Sequence, residues 1–353
     1  MNFLKRAYRL SYLVMTVVSI LFASKLFAAE NILNLYTWSG VIPDALIRQF
    51  ENETGIKVNF STYNSNEIMY AKLRTNKKSG YDIVEPSSYY VDRMRRQNML
   101  EKLDKTKLPH LSNINPDFTH QAYDPHSDYS IPFIWGVTGI FINKNDHSPG
   151  TVTSWADLWN KKFHNQLLLL DDSREVFSIA LLTLGYSIND NNPSHIEQAY
   201  QKLKTLMPNV KLFNSDAVIT ILVDEDTTIG MAWNGDLLKA WNENPALDFV
   251  FPKDGFVIWV DNFVIPQNAP HRDNAYRFLN FILRPEIAKK ISLSSSFSTT
   301  NLAAKKLLPA NIRNNPIYYP PHALLRKGEF QRDIDDKALQ IYEKYWEKLK
   351  MGG

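Results

Sequence analysis

From Asn31 onward the chain alternates short apolar runs with helix-patterned stretches, and this order of elements leaves few folds open. Asn31 to Trp38 reads as a buried strand. Pro43 then starts a helix pattern through Leu46, Ile47 and Phe50, and Gly55 stands where a helix C-cap wants positive φ. Lys57 to Ser61 reads as the next strand, Ser65 to Thr75 as a helix, Tyr81 to Val84 as a short strand and Tyr90 to Gln97 as a helix. A βαβαβα order requires crossover connections between parallel strands, so the predicted unit is a parallel sheet covered on both faces.

The later chain follows the same logic with different residues. Ser154 to Asp157 and Ser194 to Glu197 have capping-box spacing, the second opening a helix to Met207, and Gln166 to Leu170 reads as a buried strand. Thr228 to Trp233, Asp248 to Pro252 and Phe256 to Ile265 supply further strands; Asp273 to Leu283 and Asp335 to Lys350 are amphipathic helices. The 324 residues after position 29 exceed what one core usually supports, and no low-complexity linker divides them. Two lobes joined by crossing strands, a hinge architecture, are therefore expected.

Export is written at the N-terminus. Lys5, Arg6 and Arg9 precede an apolar run from Tyr12 to Phe22, and Ala28 and Ala29 offer a cleavage site, so residues 1–29 read as a cleavable signal peptide; a retained N-terminal anchor is the alternative. The 40 basic residues against 37 acidic ones change meaning accordingly. Residues 1–29 hold four bases and no acid, which leaves 36 against 37. No basic stripe survives, so nucleic-acid binding is not expected. With no cysteine the chain forms no disulfide and accepts no lipid on a thiol, and a periplasmic protein relying on its core is the expectation.

Five stretches end apolar runs with an aromatic residue, a carboxylate or both: Trp38-Ser39, Ser87 to Tyr90, Asp171 to Glu175, Trp233 to Asp236 and Trp259 to Asp261. Ring faces attract ammonium groups through the quadrupole, and carboxylates accept charge-assisted hydrogen bonds from their N–H groups, so the set suits an organic cation. Trp38, Ser87, Asp172, Trp233 and Asp261 are expected at strand ends, where open α/β sheets bind ligands. Plainer roles stand beside this one. Trp155, Trp159, Trp241 and Trp346 read as core; Asp171, Asp172 and Glu175 fit a helix N-terminus; Asp82 and Asp92 read as turn or helix-start acids. The eight histidines show no metal-ligand spacing, and neither a metal nor a cofactor is expected.

Along nearly the whole exported chain the sequence resembles the periplasmic spermidine/putrescine-binding proteins of polyamine ABC importers, of the PotD type. The runs that carry this are Glu53 to Val58, Met69 to Leu73, Tyr89 to Asp92, Asp128 to Pro132, Thr153 to Trp159, Asp171 to Phe177 and Asn301 to Ala304. The resemblance implies an α/β, two-lobed periplasmic-binding-protein fold of type II, each lobe a mostly parallel sheet with helices on both faces. It places residues 30–138 and 260–305 in a first lobe, 139–259 and 306–353 in a second, and the ligand between them. It implies a monomer that delivers polyamine to a membrane permease and its ATPase. The family's ligand contacts fall on Trp38, Ser39, Ser87, Tyr89, Asp172, Glu175, Trp233, Trp259, Asp261, Phe297 and Gln331. Ser39 stands for a threonine and Phe297 for a tyrosine, while Gly40 and Val41 replace an acid and a tyrosine. Asp236 stands where spermidine-preferring relatives have a small neutral residue, so an acid lost at one end of the ligand is regained elsewhere; its alternative role is a helix N-cap. The acids then span a shorter distance, and putrescine is expected to compete well with spermidine.

No nucleophile with its base, no thiol and no metal set supports an enzyme. A polyamine-sensing receptor and a binding protein for thiamine or another organic cation remain rival readings of the same pocket.

Overall fold

The computed structural model describes residues 31–75 and 80–352. The proposed signal peptide lies outside the described residues. The strands are β1 (Ile32–Trp38), β2 (Lys57–Tyr63), β3 (Ile83–Val84), β4 (Ser130–Asn143), β5 (Leu167–Leu169), β6 (Val210–Phe213), β7 (Ile229–Trp233), β8 (Leu247–Val250), β9 (Phe256–Val264), β10 (Ser298–Thr299) and β11 (Gly328–Phe330). Along the main path the order is β2-β1-β3-β9-β4-β7-β5-β6.

This order has an internal logic. β2, β1 and β3 run parallel in one half, and β6, β5 and β7 run parallel in the other. The antiparallel strands β9 and β4 lie between them. β4 changes partner along its length: Ser130 to Val137 pair with β9, whereas Thr138 to Ile142 pair with β7. One continuous strand therefore enters both halves, as a two-lobed fold with crossing strands requires.

All 14 residues of β4 are buried. A strand covered on both faces has no in–out alternation to betray it, and Pro132, Gly136 and Gly139 interrupt its β-branched character, so no local pattern marks it in the sequence. Pro132 cannot donate to the ladder, and the β4–β9 register shifts between Pro132 and Ile134. Three apolar clusters flank the sheet. One contains Phe141, Leu168, Phe177 and Tyr342; two others lie around Leu33, Phe50 and Phe278 and around Tyr63, Met69 and Val84.

Some local expectations change. The helix expected from Ser194 starts at Pro193, and Asn192 caps it by accepting from the Ser194 amide, so no capping box forms at Ser194–Glu197; Pro at the first position decides the start. The box at Ser154–Asp157 does form but opens only a 3₁₀ turn, Trp155–Trp159. Asp82 is fully buried, accepts from the Asn34 amide and the His271 amide, and pairs with the His271 ring, so it ties β1 to the start of the helix Arg272–Ile282 and is no turn acid. Asp92 lies inside the helix Ser88–Arg96, where it pairs with Arg95 and Arg96. Trp155 is core, but Trp241 is 43% exposed, because it sits in the last turn of its helix on the solvent side.

Candidate functional site

Chain segments leaving parallel strands turn into helices at one place in this fold, and those turns converge. Trp38 ends β1; Ser87 is the N-cap position of Ser88–Arg96; Asp172 caps Ser173–Thr183; Trp233 ends β7 and precedes Asn234–Trp241. Asp261 departs from the expected strand end. It lies within β9, opposite Ile134 of β4, and reaches the same place because β9 runs through the junction of the two halves.

These turns enclose a cavity of about 370 Å³. The structure brings Trp38, Ser39, Ser87, Tyr89, Asp172, Glu175, Trp233, Asp236, Trp259, Asp261, Phe297 and Gln331 to its wall. Asp171 is turned elsewhere and pairs with Lys350 at 2.7 Å. Residues that sequence reasoning missed also line the wall, among them Asn64, Asn66, Ser215, Asp216, Val218, Ile219 and Lys239.

The side chains are held by bonds that the sequence does not advertise. Asn66 donates to Ser87 Oγ at 3.0 Å and to the Tyr89 hydroxyl at 3.1 Å, and it accepts from the Ser87 amide. Ser87 Oγ in turn donates to Asp261 Oδ1 at 2.6 Å, across 174 residues of sequence. Asp172 accepts from the amides of Arg174 and Glu175, so it is a helix cap as well as part of the wall. Asp236 is not a cap. Trp233 holds the N-cap position without a side-chain bond, and Asp236 sits in the first turn of the helix. Asn234, fully buried, accepts from the Val137 amide and donates to the Ile317 carbonyl, fixing the turn that carries Trp233 and Asp236.

Two glycines make room for rings. A Cβ on Gly136 would lie 2.2 Å from the Trp259 ring, and one on Gly235 would lie 2.1 Å from Phe297. Both rings consequently seat against backbone, with Trp259 and Phe297 edge to face at 5.1 Å between centroids. The Arg174 guanidinium lies over Tyr89 and outside the wall, linking that ring to the helix Ser173–Thr183.

The electrostatics favour a cation. Burial pushes the Asp261 carboxyl up to about 7 against the lowering effect of the Ser87 bond, and burial pushes Asp236 up to about 7 against the nearby charge of Lys239. Asp172 and Glu175 are raised as a pair: burial is the main cause for both, with Glu67 adding to it at Asp172 and Asp172 adding to it at Glu175. Glu175 Oε2 and the indole nitrogen of Trp259 are buried and have no partner within the protein. A bound ammonium would supply the missing donor to Glu175 Oε2. Among the described residues no cluster of His, Asp or Glu is arranged to hold a metal.

Comparison with known proteins agrees with this geometry. The family model of bacterial extracellular solute-binding proteins matches residues 45–320. The spermidine/putrescine-binding periplasmic protein of Escherichia coli strain K12 is 47% identical over 323 residues, which cover 92% of each chain. The putrescine-binding periplasmic protein PotF of the same organism is 32% identical, covering 97% of this chain and 98% of its own. Among solved structures, the spermidine/putrescine ABC transporter substrate-binding protein PotD of Streptococcus pneumoniae superposes with a TM-score of 0.80 at 34% identity, over 91% of this chain and 99% of that one.

Proposed function

Because the chain belongs to the bacterial extracellular solute-binding proteins, we propose that it captures a polyamine, spermidine or putrescine, in the cavity between its two halves and delivers it to an ABC importer in the membrane. The observation that carries this reading is the wall itself. Four raised carboxyls, Asp172, Glu175, Asp236 and Asp261, share about 370 Å³ with the rings of Trp38, Trp233, Trp259 and Phe297. Carboxylates take the ammonium groups and rings take the methylenes between them.

The lobe division proposed for residues 30–138 with 260–305, and 139–259 with 306–353, gives the cavity a working cycle. Trp38, Ser87, Tyr89 and Asp261 then belong to one lobe and Asp172, Glu175, Trp233 and Gln331 to the other. A ligand touching both sets stabilises the closed form alone, and the permease with its ATPase reads closure. Release into the periplasm by cleavage of residues 1–29 and action as a monomer complete the proposal.

Three or four charge-assisted bonds at about 1.5–3 kcal/mol each and three ring contacts at about 0.5–2 kcal/mol, less the ordering of a flexible ligand, leave roughly −8 kcal/mol, or micromolar binding. Calorimetric titration with putrescine, cadaverine, spermidine, spermine and thiamine tests the reading. Micromolar or tighter binding of a polyamine supports it, and binding of thiamine alone, or turnover of a polyamine, overturns it.

Trp259 gives a second test. It is 7% exposed and belongs to an apolar cluster, yet it also lines the cavity two residues from Asp261 on the same strand face. Trp259→Leu is expected to cost about 0.5–2 kcal/mol of polyamine affinity, and tryptophan emission of the parent to change on titration. Silent emission together with a variant that loses only melting temperature would make Trp259 a core residue.

A further inference from the structure

The cavity wall of a cation-binding protein is an unexpected place for a lysine. Lys239 lies three residues after Asp236 on the helix Asn234–Trp241, which puts the two side chains on one helix face, and both line the cavity. Asp236 is half-buried in the wall and Lys239 is exposed beside it. Another charged group, Asp216, lines the cavity from just before the helix Val218–Val223, and that helix packs against Asn234–Trp241. Helix spacing and the cavity wall thus converge on one arrangement, a tethered ammonium beside the carboxylate that an incoming ammonium would seek.

Building on the polyamine reading above, we propose that Lys239 is a specificity-determining residue that selects ligands by charge, disfavouring the trication spermidine more than the dication putrescine. A fixed positive charge repels every ammonium in the cavity, and the total repulsion grows with ligand charge. It also draws on the field of Asp236, so an ammonium placed there shares its counter-ion with Lys239. A longer triamine has an additional ammonium to place in the same cavity, while a diamine can satisfy both of its charges at Asp172, Glu175 and Asp261. Because Lys239 is exposed at the rim, salt screens this repulsion more than it screens the buried carboxylates.

Calorimetric titration of the full exported chain with putrescine and with spermidine, in the parent and in Lys239→Met, Lys239→Arg and Lys239→Glu, tests this. Lys239→Met is expected to tighten spermidine more than putrescine, shifting the ratio of their Kd values on the order of fivefold at low salt. Lys239→Glu should shift the ratio further in the same direction, Lys239→Arg should leave it where it is, and the shift should shrink as salt is raised. A ratio that stays constant in Lys239→Met and Lys239→Glu while both ligands still bind overturns the role of Lys239 and leaves the polyamine reading intact. Failure of the parent to bind either ligand overturns the polyamine reading itself. An exposed lysine on a helix is tolerant of all three changes, and melting curves in the absence of ligand verify that each variant is folded.

Discussion

Asp261→Asn should lower the affinity for putrescine and spermidine by about 1.5–3 kcal/mol, the value of a charge-assisted hydrogen bond, which is a loss of roughly ten- to more than a hundred-fold. Asparagine keeps the shape of the side chain, and its carbonyl oxygen can still accept from Ser87 Oγ, now 2.6 Å from Oδ1. What disappears is the charge. Burial has already raised the Asp261 carboxyl to about 7, so in the empty protein at pH 8 its ionised form is held against desolvation. Removing that charge should leave the empty protein at least as stable as the parent, judged by melting temperature at pH 8. Weak binding by a protein of undiminished stability would therefore place Asp261 on the ligand. An unchanged Kd would take it out of the site, and a large loss of melting temperature would make it a structural partner of Ser87.

The elements that bear the site were readable because they obey local rules. β1, β5 and β7 are apolar runs, Gly55 ends its helix with φ +70°, and Asp335 caps Asp336–Lys350, as the residue types suggest. Turns after parallel strands then pointed to Trp38, Ser87, Asp172 and Trp233 without knowledge of the fold. β4 escaped because uniform burial removes period, yet it is the strand that joins the two halves. Asp261 was found as a residue but misplaced as a strand end, since nothing local shows that β9 continues through the junction. Asn66 was missed altogether. Its role depends on Ser87 and Tyr89, more than twenty residues away, and no short-range pattern encodes such a bond. Lys239 could have been found, because the i, i+3 relation to Asp236 is visible in the sequence once that helix is drawn. The resemblance to polyamine-binding proteins supplied Gln331 and Phe297, whose nearness to the cavity depends on the return of the chain through β11 and β10 to β9 and β4.

Polyamine affinity should rise about ten- to a hundred-fold between pH 6 and pH 8, with protons released on binding. The sign follows from the direction of the shifts. Asp236 and Asp261 are raised by burial to about 7, and Asp172 and Glu175 are raised together, so the empty folded protein holds protons that the unfolded chain has already lost near pH 4. Stability of the empty protein accordingly falls as pH rises from about 4 to about 8, where Glu175 is the last of the four to ionise, and changes little from these groups above that. An ammonium beside a carboxylate favours the ionised form, so capture expels those protons and becomes easier once solvent has removed them. Putrescine, the ligand to use for this test, does not change charge over this range, because its two primary amines titrate near the lysine value of about 10. Each proton released contributes about tenfold in affinity per pH unit. Titrations at pH 6, 7 and 8 at fixed ionic strength, repeated in buffers of different ionisation enthalpy, count the protons directly. Asp236→Asn and Asp261→Asn should each flatten the profile by removing one raised carboxyl. A flat profile with no buffer dependence would mean that the four carboxyls are already ionised in the empty cavity.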